Sequence, residues 1–159
     1  MSLVKPHPLW LTAESKPYEI SKAIKQARFL SWRYRTEALT KHWSANKSGY
    51  CQSSNCDSVV ETVEDVLIHC RAYSDFKKQL YSLWLSSTHP AVHGLVVEAL
   101  SSDTGYLLQF ILDCSVLPPV ITATQEHGFV ILKELFYLTR TWCFSVQKKQ
   151  MKMVGIWRY

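Results

Sequence analysis

Apolar side chains in this chain return mostly at every third or fourth position, and no run combines an alternating apolar-polar pattern with the turn chemistry of a hairpin. A 3.6-residue period buries one face of a helix, whereas a half-buried strand needs a period of two, so the sequence predicts an all-α fold. Ile20, Ala23, Ile24, Ala27 and Leu30 form the first stripe, introduced by Pro17, where a helix start tolerates proline. The pattern continues less regularly through Tyr34, Ala38, Leu39 and Trp43. A second stripe, Val63, Val66, Leu67, Cys70, Tyr73, Leu80 and Trp84, predicts one helix over about 61–85. Residues 91–100 make a short helix despite Gly94, and Asp103 suits the N-cap of the next, starting near Thr104. Pro118 and Pro119 break the chain. A last helix over about 125–151 offers Val130, Leu132, Leu135, Phe136, Leu138 and Trp142 for burial. Residues 1–17, with three prolines and no period, read as an extended arm, and 18–159 as a single helical domain.

At 159 residues, 47% hydrophobic and 19% charged, the chain has the size and composition of one globular domain. Its most apolar stretches, near 106–121 and 129–146, are broken by Asp113, Pro118, Pro119, Lys133, Glu134 and Arg140, and none reads as a membrane span. The start, MSLVKPHPLW, lacks the apolar run of a secretory signal, and five cysteines are an odd count, so no disulfide framework is expected. The expected location is intracellular, in nucleus or cytoplasm. Neither a glycine-rich phosphate loop, nor His-Glu-x-x-His, nor Gly-x-Ser-x-Gly occurs. No catalytic residue is therefore assigned, and an enzyme is not expected.

The net charge of +5 is unevenly spread: nine Lys and Arg against three Asp and Glu in residues 1–50, three against eight in 51–113, six against two in 114–159. Basic ends flanking an acidic middle suit phosphate contact. Lys22, Lys25, Arg28, Arg33, Arg35 and Lys41 are the candidate contacts to RNA or DNA, and Tyr34 and Trp43 the aromatics able to stack on unpaired bases. Trp43 fits the apolar positions of its helix better than a stacking platform.

CQSSNCDSVVETVEDVLIHC, residues 51–70, holds three of the five cysteines. Cys51 and Cys56 form a Cys-x4-Cys pair on a polar loop, and Cys70 is a third thiolate for a tetrahedral zinc site. The fourth ligand is Asp65 or His69, with His42 a remote further candidate. His69 adjoins Cys70, and neighbouring side chains on a regular helix diverge by about 100°, so both reach one ion only if the helix is distorted there. Asp65 stands one turn before His69 and would otherwise orient it by accepting its hydrogen bond. The alternative to a metal site is a buried Cys70 thiol, a solvent-facing His69 and two incidental loop cysteines. Cys114 and Cys143, alone in apolar surroundings, are expected as core thiols.

Taken in order, ARFLSWRYRTEALTKHWS, G-x-C-x4-C, ETVED-x4-C-x-AY and LFYLTRTWCF resemble the C-terminal region of non-long-terminal-repeat retrotransposon polyproteins. These are the reverse transcriptases encoded by mobile elements of animal genomes. The resemblance spans residues 8–159 and rests on Tyr34-Arg35-Thr36, His42-Trp43, Cys51/Cys56, Glu61-Thr62 and Cys70-x-Ala72-Tyr73. It implies a Cys-Cys-His-Cys zinc knuckle at 51–70, packed on a helix and gripping element RNA or target DNA. Cys51, Cys56 and Cys70 match three of its ligands, while the family's histidine falls at Asp65. Trp32 also stands where the family usually has glycine. The aromatic-x-Asp-Asp turn of the polymerase is missing from these residues, so no polymerisation is expected of them. The reading is a non-catalytic, zinc-binding nucleic-acid module, with contact to other polyprotein domains as a further implied partnership. The alternative is a metal-free helical interaction or scaffold domain, or a decayed transposon relic.

Overall fold

A computed structural model describes residues 5–31, 61–71 and 74–154, with side chains to residue 149. Every regular element among them is helical: α1 Pro8–Leu11, α2 Pro17–Leu30, a π turn Asp65–His69, α3 Ser74–Leu85, α4 Pro90–Ser101, α5 Thr104–Asp113, a 3-10 turn Cys114–Val116, α6 Pro118–His127 and α7 Val130–Val154. The all-α expectation holds. The long helix α7 is the axis, touching α1, α2, α4, α5, α6 and the π turn, and α2 lies along it more extensively than any other partner.

Four helices begin on a proline, which lacks the N–H that a first turn leaves unbonded anyway. Histidine caps two of these. His7 Nδ1 accepts from the Leu9 N–H at 3.1 Å, and His89 Nδ1 from the Ala91 N–H at 3.2 Å. Because its Nδ1 is accepting, His7 carries its proton on Nε2, which donates to Asp113 at 2.9 Å. Within the stretch read from the sequence as an extended arm, residues 8–11 are helical, His7 latches α1 to α5, and Leu9 and Ala13 enter the core. Asp103 caps α5 as expected, its Oδ1 accepting from the Tyr106 N–H at 2.8 Å.

Other differences from the sequence reading have local causes. Pro118 and Pro119 start a helix instead of only ending one, and Gly128, at φ 87°, separates α6 from α7 where a single helix was expected. The predicted helix over 61–85 is interrupted at Cys70, whose ψ of 114° leaves the helical region. Helix α2 turns Lys22, Ala23, Gln26 and Phe29 inward, about one residue (roughly 100°) round from the apolar stripe. It does so because the buried polar groups find partners. Gln26 Nε2 donates to the Ile111 carbonyl and to Thr139 Oγ1, both at 2.8 Å. Thr104–His127, end to end, is long and apolar enough to cross a membrane, but it bends at Leu117 and half of it is buried inside the fold.

The core runs from Leu9 and Phe29 through Val66, Leu67 and Val96 to Phe110, Leu135 and Phe136. At its centre Trp84 packs on Trp142 (4.8 Å between ring centroids) and on Phe110 (5.5 Å). Cys114 and Cys143 are core thiols, fully buried, and burial pushes both well above the ordinary thiol range.

Between α1 and α2, Glu14 and Ser15 both adopt positive φ, 52° and 58°. Side chains in that region cost about 1–2 kcal/mol per residue, so something must hold the turn. Arg140 does: its Nη1 and Nη2 donate to Thr12 Oγ1 (3.3 Å) and to the Thr12 carbonyl (3.1 Å). Lys133 hydrogen-bonds Glu14 from α7 and, with Lys16, holds its carboxyl below the usual carboxylate range. A lowered folded value means that this contribution is present above the unfolded value and is lost as pH falls through the folded one. Melting temperature followed from pH 6 to pH 3 should therefore drop less steeply for Glu14→Gln than for the unaltered protein.

Candidate metal centre and basic face

Thr62 caps the short helix that carries the candidate ligands, its Oγ1 accepting from the Asp65 N–H at 3.2 Å. Thr62-Val63-Glu64-Asp65 has capping-box spacing, in which an acid at the fourth position reaches back to the cap N–H. Asp65 does not do this. Among the described residues neither of its buried carboxylate oxygens has a hydrogen-bond partner, and the residue is 3% exposed.

The chain then widens into a π turn. Cys70 N–H donates five residues back to the Asp65 carbonyl at 2.8 Å, instead of four back to Val66. Trp142 Nε1 donates to the Leu67 carbonyl at 3.1 Å, pinning this turn against α7. The distortion needed for adjacent His69 and Cys70 to share an ion is thus present, yet the two part company. Cys70 is 3% exposed and inside, while His69 is half exposed and pairs with Glu64 at 3.3 Å. The expected hydrogen bond from His69 to Asp65 does not form, because Glu64 takes its place. Asp65, not His69, shares the interior with Cys70.

Burial pushes the Asp65 carboxyl above the usual range, and buried Glu61 pushes the same way; the Lys77 ammonium and His69 pull against them. Lys77 was not among the sequence candidates, although it is as buried as Asp65. The signal was its place on the apolar stripe, three and seven residues before Leu80 and Trp84. Cys51, Cys56 and His42 lie outside the described residues. Among the described residues, no group of three or more His, Cys, Asp and Glu is placed to hold a metal ion.

Of the candidate phosphate contacts, Arg33, Arg35 and Lys41, with the aromatics Tyr34 and Trp43, also lie outside the described residues. Lys22 is only 6% exposed, and its ammonium sits over the Tyr18 and Tyr137 rings (4.6 and 5.4 Å), beside Glu19 (3.6 Å) and Thr141 (3.3 Å). A lysine so enclosed meets aromatic faces and a carboxylate. Lys25 and Arg28 are half-buried on the same helix, and burial with the nearby Arg28 charge lowers the Lys25 ammonium below its usual range. Comparison with protein-family models, curated proteins and solved structures finds no match to this chain.

Proposed function

We propose that this chain is a non-catalytic helical module that holds one structural zinc ion through Cys51, Cys56, Cys70 and Asp65 and binds single-stranded nucleic acid. The observation that carries the reading is the Asp65 carboxylate, buried with neither oxygen hydrogen-bonded to any of the described residues. Burying a carboxylate costs several kcal/mol unless a cation or donors compensate it, and a dication shared with a buried thiolate is such a partner. Asp65 then takes the position of the histidine in the retrotransposon knuckle, and the kinship with that C-terminal region is part of the proposal. Bound zinc would cross-link the 51–56 segment to the π turn, and four protein ligands would leave no position for a reacting water.

Elemental mass spectrometry of purified, tag-free protein tests the site. One zinc per chain is expected, lost in Asp65→Ala and kept in His69→Ala. Zinc kept in Asp65→Ala, or a folded protein without zinc, would overturn the assignment.

Nucleic-acid binding would fall to Lys25, Arg28, Arg33, Arg35 and Lys41. Five phosphate contacts to a single strand predict a slope of roughly −3 to −4 in log affinity against log salt. A flat salt response with single-stranded RNA would remove the basic-face assignment. A second reading, a metal-free interaction domain, is favoured by the exposed Trp10 and Leu11 on α1 and by Phe129 at the start of α7. It predicts salt-insensitive binding to a protein partner.

A further inference from the structure

A cleft of about 400 Å³ lies between the turn after α1 and the first half of α7. Arg140 lines its inner side and is 1% exposed. Val130 and Tyr137, each about half exposed, give it an apolar wall. Lys16 and Lys133 stand at its rim, with their ammonium groups on the Glu14 carboxylate.

The acids that line the cleft are not equivalent. Glu19 is engaged by Arg140 Nε at 3.0 Å and by Lys22, and Glu134 accepts from Ser87 Oγ at 2.6 Å. Glu14 pairs, among the described residues, with the two rim lysines, and it reaches them from a backbone with two successive positive φ angles. If Glu14 swings away, two ammonium groups face an apolar-walled cleft.

We propose that the cleft binds a small carboxylate bearing an apolar or aromatic tail, with Glu14 holding the carboxylate position when no ligand is present. The ligand carboxylate replaces that of Glu14 between Lys16 and Lys133, and its tail lies on Val130 and Tyr137. Arg140 is a positioning residue: it fixes the Thr12 backbone from which the Glu14 turn springs. The inference is independent of the zinc assignment, since none of these residues belongs to the Asp65–Cys70 segment.

Isothermal titration of the full chain with 3-phenylpropionate tests it, with 3-phenylpropylamine as the control of opposite charge. The acid should bind and the amine should not. Glu14→Ala should tighten binding roughly tenfold, the gain expected if Glu14 leaves the cleft open about a tenth of the time. In the Glu14→Ala background, where no internal carboxylate competes, Lys133→Gln should weaken binding by roughly tenfold, the loss of one charge-assisted hydrogen bond, and Lys133→Arg should keep most of it. N-acetyl-Gly-Phe and its C-terminal amide distinguish the source of the carboxylate. Binding of the peptide acid but not the amide marks a chain terminus as ligand, and binding of 3-phenylpropionate alone marks a free acid. Failure of the acid to bind folded Glu14→Ala protein, equal binding of the amine, or indifference to Lys133→Gln would each overturn the proposal. Circular dichroism of every variant confirms that a loss of binding is not a loss of fold.

Discussion

Asp65→Leu should stabilise the protein in the presence of a chelator and destabilise it when zinc is supplied. Without metal, Asp65 is a buried carboxylate whose two oxygens bond none of the described residues, and it lies near the buried acid Glu61. Leucine has a similar shape and no charge, and replacing buried ionic groups by apolar ones of like volume often gains about 1–4 kcal/mol. Glu61, buried and near enough to raise the Asp65 carboxyl, stays as a second acid in the interior that also holds Lys77. With zinc the sign reverses, because metal affinity is then folding free energy and the substitution removes one of four ligands. The measurement is a pair of denaturant titrations, one with excess zinc and one with chelator, for both proteins. A cost of several kcal/mol confined to the zinc arm is expected, since complete structural zinc sites supply about 10–16 kcal/mol. Destabilisation of equal size in both arms would mean that Asp65 serves packing and holds no ion.

The all-helical class was legible in the sequence because the 3.6 period is carried by many residues at once. Boundaries set by single residues were less so. Pro118 reads equally as a stop or as a first helical residue, and only its position after Leu117, which is extended at ψ 128°, decides for the start. The inward face of α2 was misread because periodicity counts apolar side chains, whereas Lys22 and Gln26 are buried through specific partners on α5 and α7. The same limit hid the cleft. Lys133, Glu134 and Arg140 interrupt an apolar helix, and the sequence reading took them only as charges barring a membrane span. With Val130 and Tyr137 they fall on one stripe at intervals of three and four, and that stripe lines the cleft. The π turn had no local signal of its own, since it is an indole from α7 that binds the Leu67 carbonyl.

That indole leads to the second large effect. Trp142→Ala should cost about 3–5 kcal/mol, the range for emptying a buried tryptophan site, because its ring fills the space between Trp84 and Tyr81. Trp142→Phe separates packing from hydrogen bonding. It keeps an aromatic ring but removes the donor to Leu67, and a buried carbonyl deprived of its partner costs about 1–3 kcal/mol. Trp84→Phe is the matched control, for Trp84 Nε1 donates at 3.3 Å to Leu138, a carbonyl inside α7 that the helix also bonds. The Trp142 change should therefore be the costlier of the two. It should also speed hydrogen exchange at the Cys70 N–H, whose bond to the Asp65 carbonyl closes the π turn. If Cys70 exchange responds to Trp142→Phe and not to Trp84→Phe, the turn that places Asp65 and Cys70 inside is held from α7. Zinc affinity should then fall with the same substitution, although Trp142 touches no metal: the interior position of both ligands would depend on a hydrogen bond made 75 residues along the chain.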